Sequence, residues 1–494
     1  MPAPVGGWDT ENAWASMPAH HAVELVNWVP YPSYVETRGG YVPHVTGFTS
    51  PVETLMSYNP PVGTTQLIAA AGDKWFDVTT GGSVGTPLLT GMGSARWQYV
   101  QMSTPGGHFL IAANGVDPAR RYNGTTVTLA GITGPDPTKL VWLNLHQRRL
   151  WCGETNSLKA WYLAPNAITG PATAFDLAPL ASLGGHLVGM GTWTRDGGSG
   201  PDDYAVFLTS EGQALIYAGT DPASASTWGL VGVFRIGRPL GRRCMLRFGA
   251  DLVVLTEDGV VALSQVLSVD RSQQSGAAIS AQINKAFSDA ARANGTSWGW
   301  DAFLYPARNV AIFNVPWSNN TFRQYVFSTL TRAPAQWRGV PSRCWALADG
   351  VPYFGGSSAV YRFDTGAKDD GTDIEAWAIQ AWHGFPHRAQ KVMFRRAAPV
   401  LRVAEKVPLS VDVLLDYRID VSFPDLIPIY ENFGAYWDVA LWDQSTTNNH
   451  IVVSEWRGVH GIGRVGAIRI RLKTKHERVA WMATNILTVP GGTL

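Results

Sequence analysis

Short apolar stretches separated by acidic or glycine-containing turns recur along the first 366 residues of the chain. Leu208-Thr-Ser-Glu-Gly212 and Leu255-Thr-Glu-Asp-Gly259 match position for position. Each lies between two apolar segments, which predicts a β-hairpin. Similar apolar segments, nearly all with an aromatic residue, recur elsewhere, and most steps between them suit a four-stranded propeller blade of ~40–50 residues. The long step from Ala262 to Tyr325 needs an insertion. The markers are Trp75, Tyr122, Tyr162, Tyr217, Ala262, Tyr325 and Tyr361.

This spacing predicts a six- or seven-bladed β-propeller over residues 50–366, with residues 1–49 packing on the propeller or closing its ring. One helix is predicted to be inserted at about 273–294. Its apolar residues, including Ile283 and Phe287, fall on one stripe, and Asn294-Gly295 is a typical helix end. A long array of β-sandwiches remains the alternative fold.

Residues 374–494 show a different pattern, and the turn Thr365–Asp373, which is rich in Asp and Gly, separates them from the repeats. Apolar and polar residues alternate in Leu409–Leu415 and Ala467–Lys473, which is typical of strands with one buried face. We therefore predict an antiparallel β-sandwich-like C-terminal domain. The predicted fold class is all-β with one inserted helix.

Composition supports a folded chain with many strands and turns. The 494 residues include 52 Gly, 31 Pro and 21 Trp, and charged residues make up 16%. Disordered chains have few aromatic residues and a high net charge. The formal net charge of +1 argues against a dedicated nucleic-acid-binding protein.

Cellular location is constrained by features of the sequence that favour synthesis in the cytoplasm. No stretch reaches the ~18 consecutive apolar residues of a membrane span, and the N-terminus lacks the basic and apolar regions of a signal peptide. Cys152, Cys244 and Cys344 are odd in number and far apart. They predict reduced, buried thiols rather than a disulfide framework.

Several of these segments resemble the tail nozzle, or tail-hub (tail tubular), proteins of short-tailed, podovirus-type bacteriophages. The similar segments are Met17–Trp28, Gly219–Trp228 with Val231–Gly237 and Gly241–Cys244, Gln324–Thr331, and Tyr353–Gly356 with Val360–Gly366. The resemblance implies a β-propeller with an additional β-domain, assembled as a homohexameric ring below the portal and adaptor proteins of the virion tail. Such a ring continues the DNA channel, retains packaged DNA, and carries tail fibres or spikes.

Four pairs of basic residues are the candidate contacts for such a role. On a channel wall they would touch DNA phosphates without reading the base sequence. Elsewhere they would be surface charges or form salt bridges between subunits. The pairs are Arg120-Arg121, Arg148-Arg149, Arg242-Arg243 and Arg395-Arg396. Aromatic residues also favour subunit interfaces, and Trp437, Trp442 and Trp456 are candidates for them.

The sequence does not favour an enzyme. Glu211, Asp258 and Asp349 precede glycine in predicted turns, where acidic residues serve turn geometry. The Ser-x-Asp-x-Gly-x-Thr-Trp box of sialidases and the phosphate-binding loop of nucleotide hydrolases are both absent. A carbohydrate-binding or glycoside-cleaving propeller at a virion or cell surface remains the alternative function.

Possible metal ligands form incomplete sets, so we predict no metal site and no cofactor. Asp202-Asp203 and Asp369–Asp373 offer oxygen ligands without the spacing of a calcium loop. His20-His21 and the pair His383 and His387 lack the Cys or carboxylate partners of a zinc site.

Overall fold

The structure is a computed structural model that describes residues 1–196, 201–266, 276, 278–385, 391–404, 407–419, 423–428 and 451–490. Within these ranges, seven sheets follow one another from Val52 to Phe363 and form the blades of a β-propeller. The prediction of an all-β propeller is confirmed, and the blade number is the higher of the two values allowed by the sequence.

Blades 1 to 4 each contain four antiparallel strands that follow one another outward from the propeller axis. The strands are Val52–Tyr58, Gln66–Ala71, Lys74–Asp77 and Pro87–Leu89 in blade 1; Gln98–Thr104, Gly107–Ala113, Arg120–Tyr122 and Val127–Leu129 in blade 2; Leu140–His146, Arg149–Glu154, Lys159–Tyr162 and Thr173–Asp176 in blade 3; and Leu187–Asp196, Pro201–Thr209, Gln213–Gly219 and Trp228–Arg235 in blade 4. Ile132–Thr133 and Gly170–Pro171 form a small parallel pair.

Blade 5 has three described strands, Met245–Phe248, Asp251–Thr256 and Gly259–Ala262, followed by a single helical turn at Leu263–Val266. The predicted inserted helix is present as Asn284–Asn294, preceded by a 3-10 turn at Ala281–Ile283. Its end is the predicted one and the predicted start at Gln273 lies outside the described residues, but the α-helix begins only at Asn284: residues 278–280 form a bend and a turn and Ala281–Ile283 a 3-10 turn where helix was predicted. Phe287 on its buried face packs against Phe313 of blade 6, 6.1 Å between ring centroids.

Blade 7 combines strands from both ends of the propeller sequence. Its strands Cys344–Ala348, Val351–Gly355 and Ala359–Phe363 are completed by the N-terminal strand Tyr41–Thr46, which pairs with Ala359–Phe363. Apolar residues of blades 7 and 1 share one core, in which Val52 and Leu55 meet Cys344 and Ala346. The N-terminal segment therefore closes the ring.

Blade 6 contains Asp301–Tyr305, Val310–Pro316, Phe322–Ser328 and Pro334–Trp337, and its sheet continues beyond the propeller. The outer strand pairs with the N-terminal strand His21–Val26, which in turn pairs with the C-terminal strand Glu375–Gln380. The remaining members of this sheet are Gly7–Trp8, His383–Gly384, Val465–Lys473, Pro408–Leu415 and Ile427–Pro428. One sheet thus joins the propeller to the C-terminal strands.

A second sheet packs on this extension and completes the predicted sandwich. It contains Trp28–Pro30, Val35–Thr37, Ala480–Pro490, Val392–Val403, Ile451–Ser454 and Arg457–Gly463. Trp28, Phe394 and Trp481 of this sheet share one buried core with Ile468 and Ile470 of the first. Residues 1–49 therefore supply strands to both layers of the sandwich as well as to blade 7.

The junction of these parts is organised by the buried side chain of Arg38. Its guanidinium donates to both carboxylate oxygens of Asp369, at 2.8 and 2.6 Å, and to the carbonyl oxygens of Gly39 and Arg338. Nε donates to Asn27 Oδ1 at 3.0 Å. These contacts tie the N-terminal segment to the end of blade 6 and to the hairpin that follows blade 7.

We expect Arg38→Met to lower the free energy of unfolding by about 3–5 kcal/mol, because it leaves a poorly hydrated carboxylate without its cation. The exposed Arg362, on the last propeller strand, is the matched control, and Arg362→Met should change stability by less than about 0.5 kcal/mol. Urea unfolding measures both values. Equal effects of the two substitutions would contradict the role given to Arg38.

The buried His146 should make the stability of the protein depend on pH. It lies between blades 3 and 4, with Nδ1 3.3 Å from Thr192 Oγ1. Burial lowers its pKa from 6.5 to about 4. Between pH 6.5 and 4 this histidine is protonated in the unfolded chain but not in the folded one. The free energy of unfolding therefore falls by about 3 kcal/mol as the pH drops from 6.5 to 4. Urea unfolding across this range should show that His146→Gln removes this part of the pH dependence. If the free energy of unfolding of the variant depends on pH as steeply as that of the wild type, His146 is not the group responsible.

Candidate functional site

The innermost strands of the seven blades surround a cavity on the propeller axis of about 340 Å³. Its wall combines apolar side chains, such as Leu55, with polar and charged ones, such as Asn144 and Arg243. Each blade contributes, with the lining including Leu55, Tyr99, Asn144, Thr192, Met245, Phe303 and Trp345 of blades 1 to 7 in that order. A cavity of this size accommodates a small molecule.

Arg243, one of the candidates from the sequence, reaches across this cavity. It lies just before blade 5, yet Nη2 donates to Thr54 Oγ1 of blade 1 at 3.0 Å and to the Trp97 carbonyl oxygen beside blade 2 at 2.9 Å. Nη1 lies 3.4 Å from Asp301 Oδ2 of blade 6. The side chain therefore links four blades and obstructs the axis.

Two further arginines extend the charge around Arg243. Arg242 Nη1 donates to the Asn114 carbonyl oxygen at 3.2 Å. Burial, and then the nearby Arg96 and Arg243, lower the pKa of Arg242. The guanidiniums of Arg96 and Arg243 lie 5.0 and 5.4 Å from the ring centroid of Trp298, so cation–π contacts offset part of the repulsion.

Asp301 is the acidic group in the lining of the cavity, as far as the described residues go. Burial raises the pKa of its carboxyl, and Arg243 opposes that shift. Glycoside cleavage ordinarily uses two carboxyl groups separated by ~5–9.5 Å. The described lining offers one carboxyl group, that of Asp301, and it is already paired with Arg243. This arrangement fits a structural ion pair better than acid–base catalysis.

Arg120 and Arg121 lie on the third strand of blade 2, away from the axis. Arg121 Nε donates to Thr128 Oγ1 on the neighbouring strand at 3.1 Å, and its guanidinium lies 6.0 Å from the ring centroid of Phe109. Both arginines are half-buried. The Arg121 side chain is therefore held within its own blade, on an outer strand away from the axial arginines.

Arg148 and Arg149 occupy the first hairpin of blade 3, and both connect to loops. Arg148 Nε donates to Asn166 Oδ1 at 3.2 Å. Arg149 Nη2 forms an ion pair at 2.9 Å with Asp221, in the loop that joins the last two strands of blade 4. The polar loop after Gly219 therefore packs against the neighbouring blade through Asp221.

Arg395 and Arg396 lie in the C-terminal sandwich, on the strand Val392–Val403, where the strand pairing is irregular. Both side chains are exposed. The structure thus brings Arg242 and Arg243 together on the axis and distributes the other three pairs over separate parts of the molecule.

The other residues considered for chemistry have structural contacts. Asp369 binds Arg38, and His21 Nδ1 lies 2.6 Å from Asp9 Oδ2. Glu211, Asp258 and Asp349 lie in hairpin turns, each followed by a glycine with a positive φ angle. His387, Trp437 and Trp442 are outside the described residues. No group of three or more His, Cys, Asp or Glu among those described is placed to hold a metal ion.

The cysteines are buried, and none of the three forms a disulfide. Burial raises the pKa of the Cys244 and Cys344 thiols to about 12 and also raises that of Cys152. A thiol with such a pKa is a poor nucleophile at neutral pH. Among the described residues, no helix is long and apolar enough to cross a bilayer.

Sequence reasoning missed Arg96 and Trp298, which lie beside Arg242 and Arg243, and Asp301, which pairs with Arg243. Arg96 precedes blade 2, whereas Trp298 and Asp301 belong to the start of blade 6, so no local motif joins them. Only the circular arrangement of blades brings them together. The sequence feature that could have indicated them is the occurrence of arginine and tryptophan just before the first strands of blades 2 and 6.

Comparison with known proteins finds no matching family model and no matching curated protein. Solved structures with some similarity include BBS1N in complex with ARL6DN, at 12% identity and a TM-score of 0.41 over 66% of this chain and 97% of that chain. Sqt1 of Saccharomyces cerevisiae has 10% identity and a TM-score of 0.37 over 66% and 99%. The computationally designed Ika8 protein has 10% identity and a TM-score of 0.37 over 65% of this chain and 99% of that chain. We draw no functional conclusion from similarities at this level.

The axial ion pair generates a prediction. Arg243→Met should lower the free energy of unfolding by about 3–5 kcal/mol, because Asp301 then stays buried without a cation. Adding Asp301→Asn should recover part of that loss, since it removes the buried charge. Urea unfolding of the two single variants and the double variant measures the coupling, and additive effects would show that the two residues act independently.

Proposed function

We propose that the chain is a non-enzymatic structural subunit of a short bacteriophage tail, a nozzle or hub protein that assembles as a homohexameric ring. The ring continues the DNA channel, retains packaged DNA and lets it pass during ejection. Its other partners are the portal or adaptor protein and the tail fibres or spikes. The subunit is made in the host cytoplasm and resides in the virion tail.

The observation that carries this proposal is the obstruction of the propeller axis by Arg243. Its guanidinium bridges blades 1, 2 and 6 at the axis, and the cavity beside it, of about 340 Å³, has the size of a small-molecule site. DNA therefore cannot thread through one propeller. A DNA conduit built from this chain has to lie between several copies, which is the arrangement that the tail-nozzle resemblance implies.

The continuity of the fold also suits a load-bearing subunit. Blade 6 and the sandwich share one hydrogen-bonded sheet, and Arg38 fixes the N-terminal segment against the end of the propeller. A closed ring of blades leaves few free strand edges. A subunit of this kind keeps its shape while DNA moves past it.

Arg395 and Arg396 are the candidates best placed to contact DNA or a neighbouring subunit. Both are exposed on the sandwich, whereas Arg242 and Arg243 are committed to the propeller axis. Trp456 of the same sandwich is 49% exposed, as suits a residue at an interface. Phosphate contacts by a few arginines would hold DNA without reading its sequence.

Native mass measurement of the purified chain tests the proposal. We expect an assembly of six times the chain mass of 53.6 kDa, visible as a ring by electron microscopy. Replacing Arg395 and Arg396 with Glu should weaken either ring formation or DNA retention, whereas the same change at Arg121 should not. A monomer that binds or cleaves glycans would overturn the proposal and favour the carbohydrate-directed alternative.

The location of the chain in intact particles supplies an independent test. Labelling of virions with a chain-specific antibody, followed by electron microscopy, should place the label at the short tail. A label confined to the capsid or absent from the particle would contradict the assignment whatever the oligomeric state.

A further inference from the structure

A second cavity, of about 390 Å³, lies between blade 6, the N-terminal segment and the helix Asn284–Asn294. Indole and phenol rings form much of its wall, and charged side chains enter it from three sides. The residues used below are Trp8, Trp14, Trp317, Arg323, Tyr325 and Arg338. This volume and mixed lining are within the range of small-molecule sites.

Arg323, on the third strand of blade 6, and Arg338, directly after the fourth, line the same cavity. Tyr325 pairs with Gln336 and Gln324 with Trp337, the last paired residue before Arg338. Arg338 lowers the pKa of Arg323, as a like charge at short range does. Two guanidiniums therefore lie close together at one side of the cavity.

Neither arginine forms an ion pair with a described carboxylate. The guanidinium of Arg323 stacks over the ring of Trp317 at 3.6 Å from its centroid. Arg338 Nε donates to Gln336 Oε1 at 2.8 Å, and its guanidinium lies 5.1 Å from the ring centroid of Trp377. Burial lowers the pKa of both side chains, and Arg338 further lowers that of Arg323.

The carboxylates that line this cavity already have other partners. Asp9 binds His21 and Asn12, and Asp289 binds Lys285 on the helix. Glu24 Oε2 accepts a hydrogen bond from the Trp377 indole at 2.8 Å. Asp9 and Asp289 are thus paired elsewhere. Glu24 keeps its charge and raises the pKa of both arginines, so it offsets part of their repulsion, while neither guanidinium forms an ion pair with a described carboxylate.

The rest of the wall suits the body of an organic ligand. Trp8 packs edge-on against Tyr325 at 5.3 Å between ring centroids, and Trp14 is 39% exposed although it stacks on Trp382. The buried hydroxyl of Thr10 has no hydrogen-bond partner among the described residues. The wall thus offers apolar surface beside one uncommitted polar group.

We propose that this cavity binds a small planar carboxylate, whose oxygens bridge Arg323 and Arg338 while its ring lies against the tryptophans. Guanidinium groups suit carboxylates because their parallel N–H donors match the two oxygens. An anion between the two arginines also reduces the repulsion between them. The site is separate from the axial cavity and does not depend on the ring function.

Titration calorimetry with benzoate and its neutral analogue benzamide tests the proposal. We expect wild-type protein to bind benzoate with a Kd of about 1 mM, equivalent to ~4 kcal/mol, and benzamide at least about tenfold more weakly. Arg323→Gln and Arg338→Gln should each weaken benzoate binding about tenfold or more. Binding of benzamide should not change in these variants.

Arg332→Gln is the matched control, because Arg332 is an exposed arginine in the same blade and the substitution removes the same charge. This variant should bind benzoate as the wild type does. Urea unfolding of the Arg323 and Arg338 variants should show that both remain folded under the conditions of the titration, so that a loss of benzoate binding reports on the site. Equal affinity for benzoate and benzamide, absence of benzoate binding, or equal behaviour of Arg332→Gln and Arg338→Gln would each overturn the proposal.

Discussion

The burial of one guanidinium, that of Arg38, constrains how the N-terminal segment joins the propeller to the sandwich. A buried cation is tolerated when its donors and its charge are both matched. Asn27, Asp369 and two carbonyl groups meet this requirement, so the parts of the fold that carry them are positioned together. Closure of blade 7 and packing of the sandwich therefore depend on the same N-terminal segment. The propeller and the sandwich are thus not two domains joined only by a linker.

Features set by local chemistry were predictable from the sequence. The hairpins at Leu208–Gly212 and Leu255–Gly259 occur in blades 4 and 5, and the alternating segment Ala467–Lys473 lies within a sandwich strand. Turn residues and the period of two act over a few residues, so one sequence reveals them. Contacts between distant parts of the chain were not predictable: Asp369, in the turn predicted to separate the repeats from the C-terminal domain, is the partner of Arg38, 331 positions away.

The candidate site shows the same division. Adjacent arginines are easy to find, but neighbours in a strand point to opposite faces, so a basic pair in sequence is rarely a basic pair in space. Arg242 and Arg243 do lie together because they belong to a loop before blade 5. Their cluster with Arg96 and Trp298 follows from ring closure, and the proximity of Arg323 and Arg338 follows from the pairing of the last two strands of blade 6. Neither relation leaves a local pattern in the sequence.

The described arginines also differ in how their charge is matched, and this difference separates structural from functional candidates. Arg38 and Arg243 bind carboxylates and carbonyl groups. Substituting either arginine would therefore leave a buried carboxylate without its cation and lower the free energy of unfolding. The charge of Arg323 and Arg338 is matched only in part, since Glu24 raises the pKa of both but neither forms an ion pair with a described carboxylate. A carboxylate ligand would supply a further negative charge to these two guanidiniums. The same reasoning gives the axial cluster a role in holding blades together and leaves anion recognition to the cavity beside blade 6.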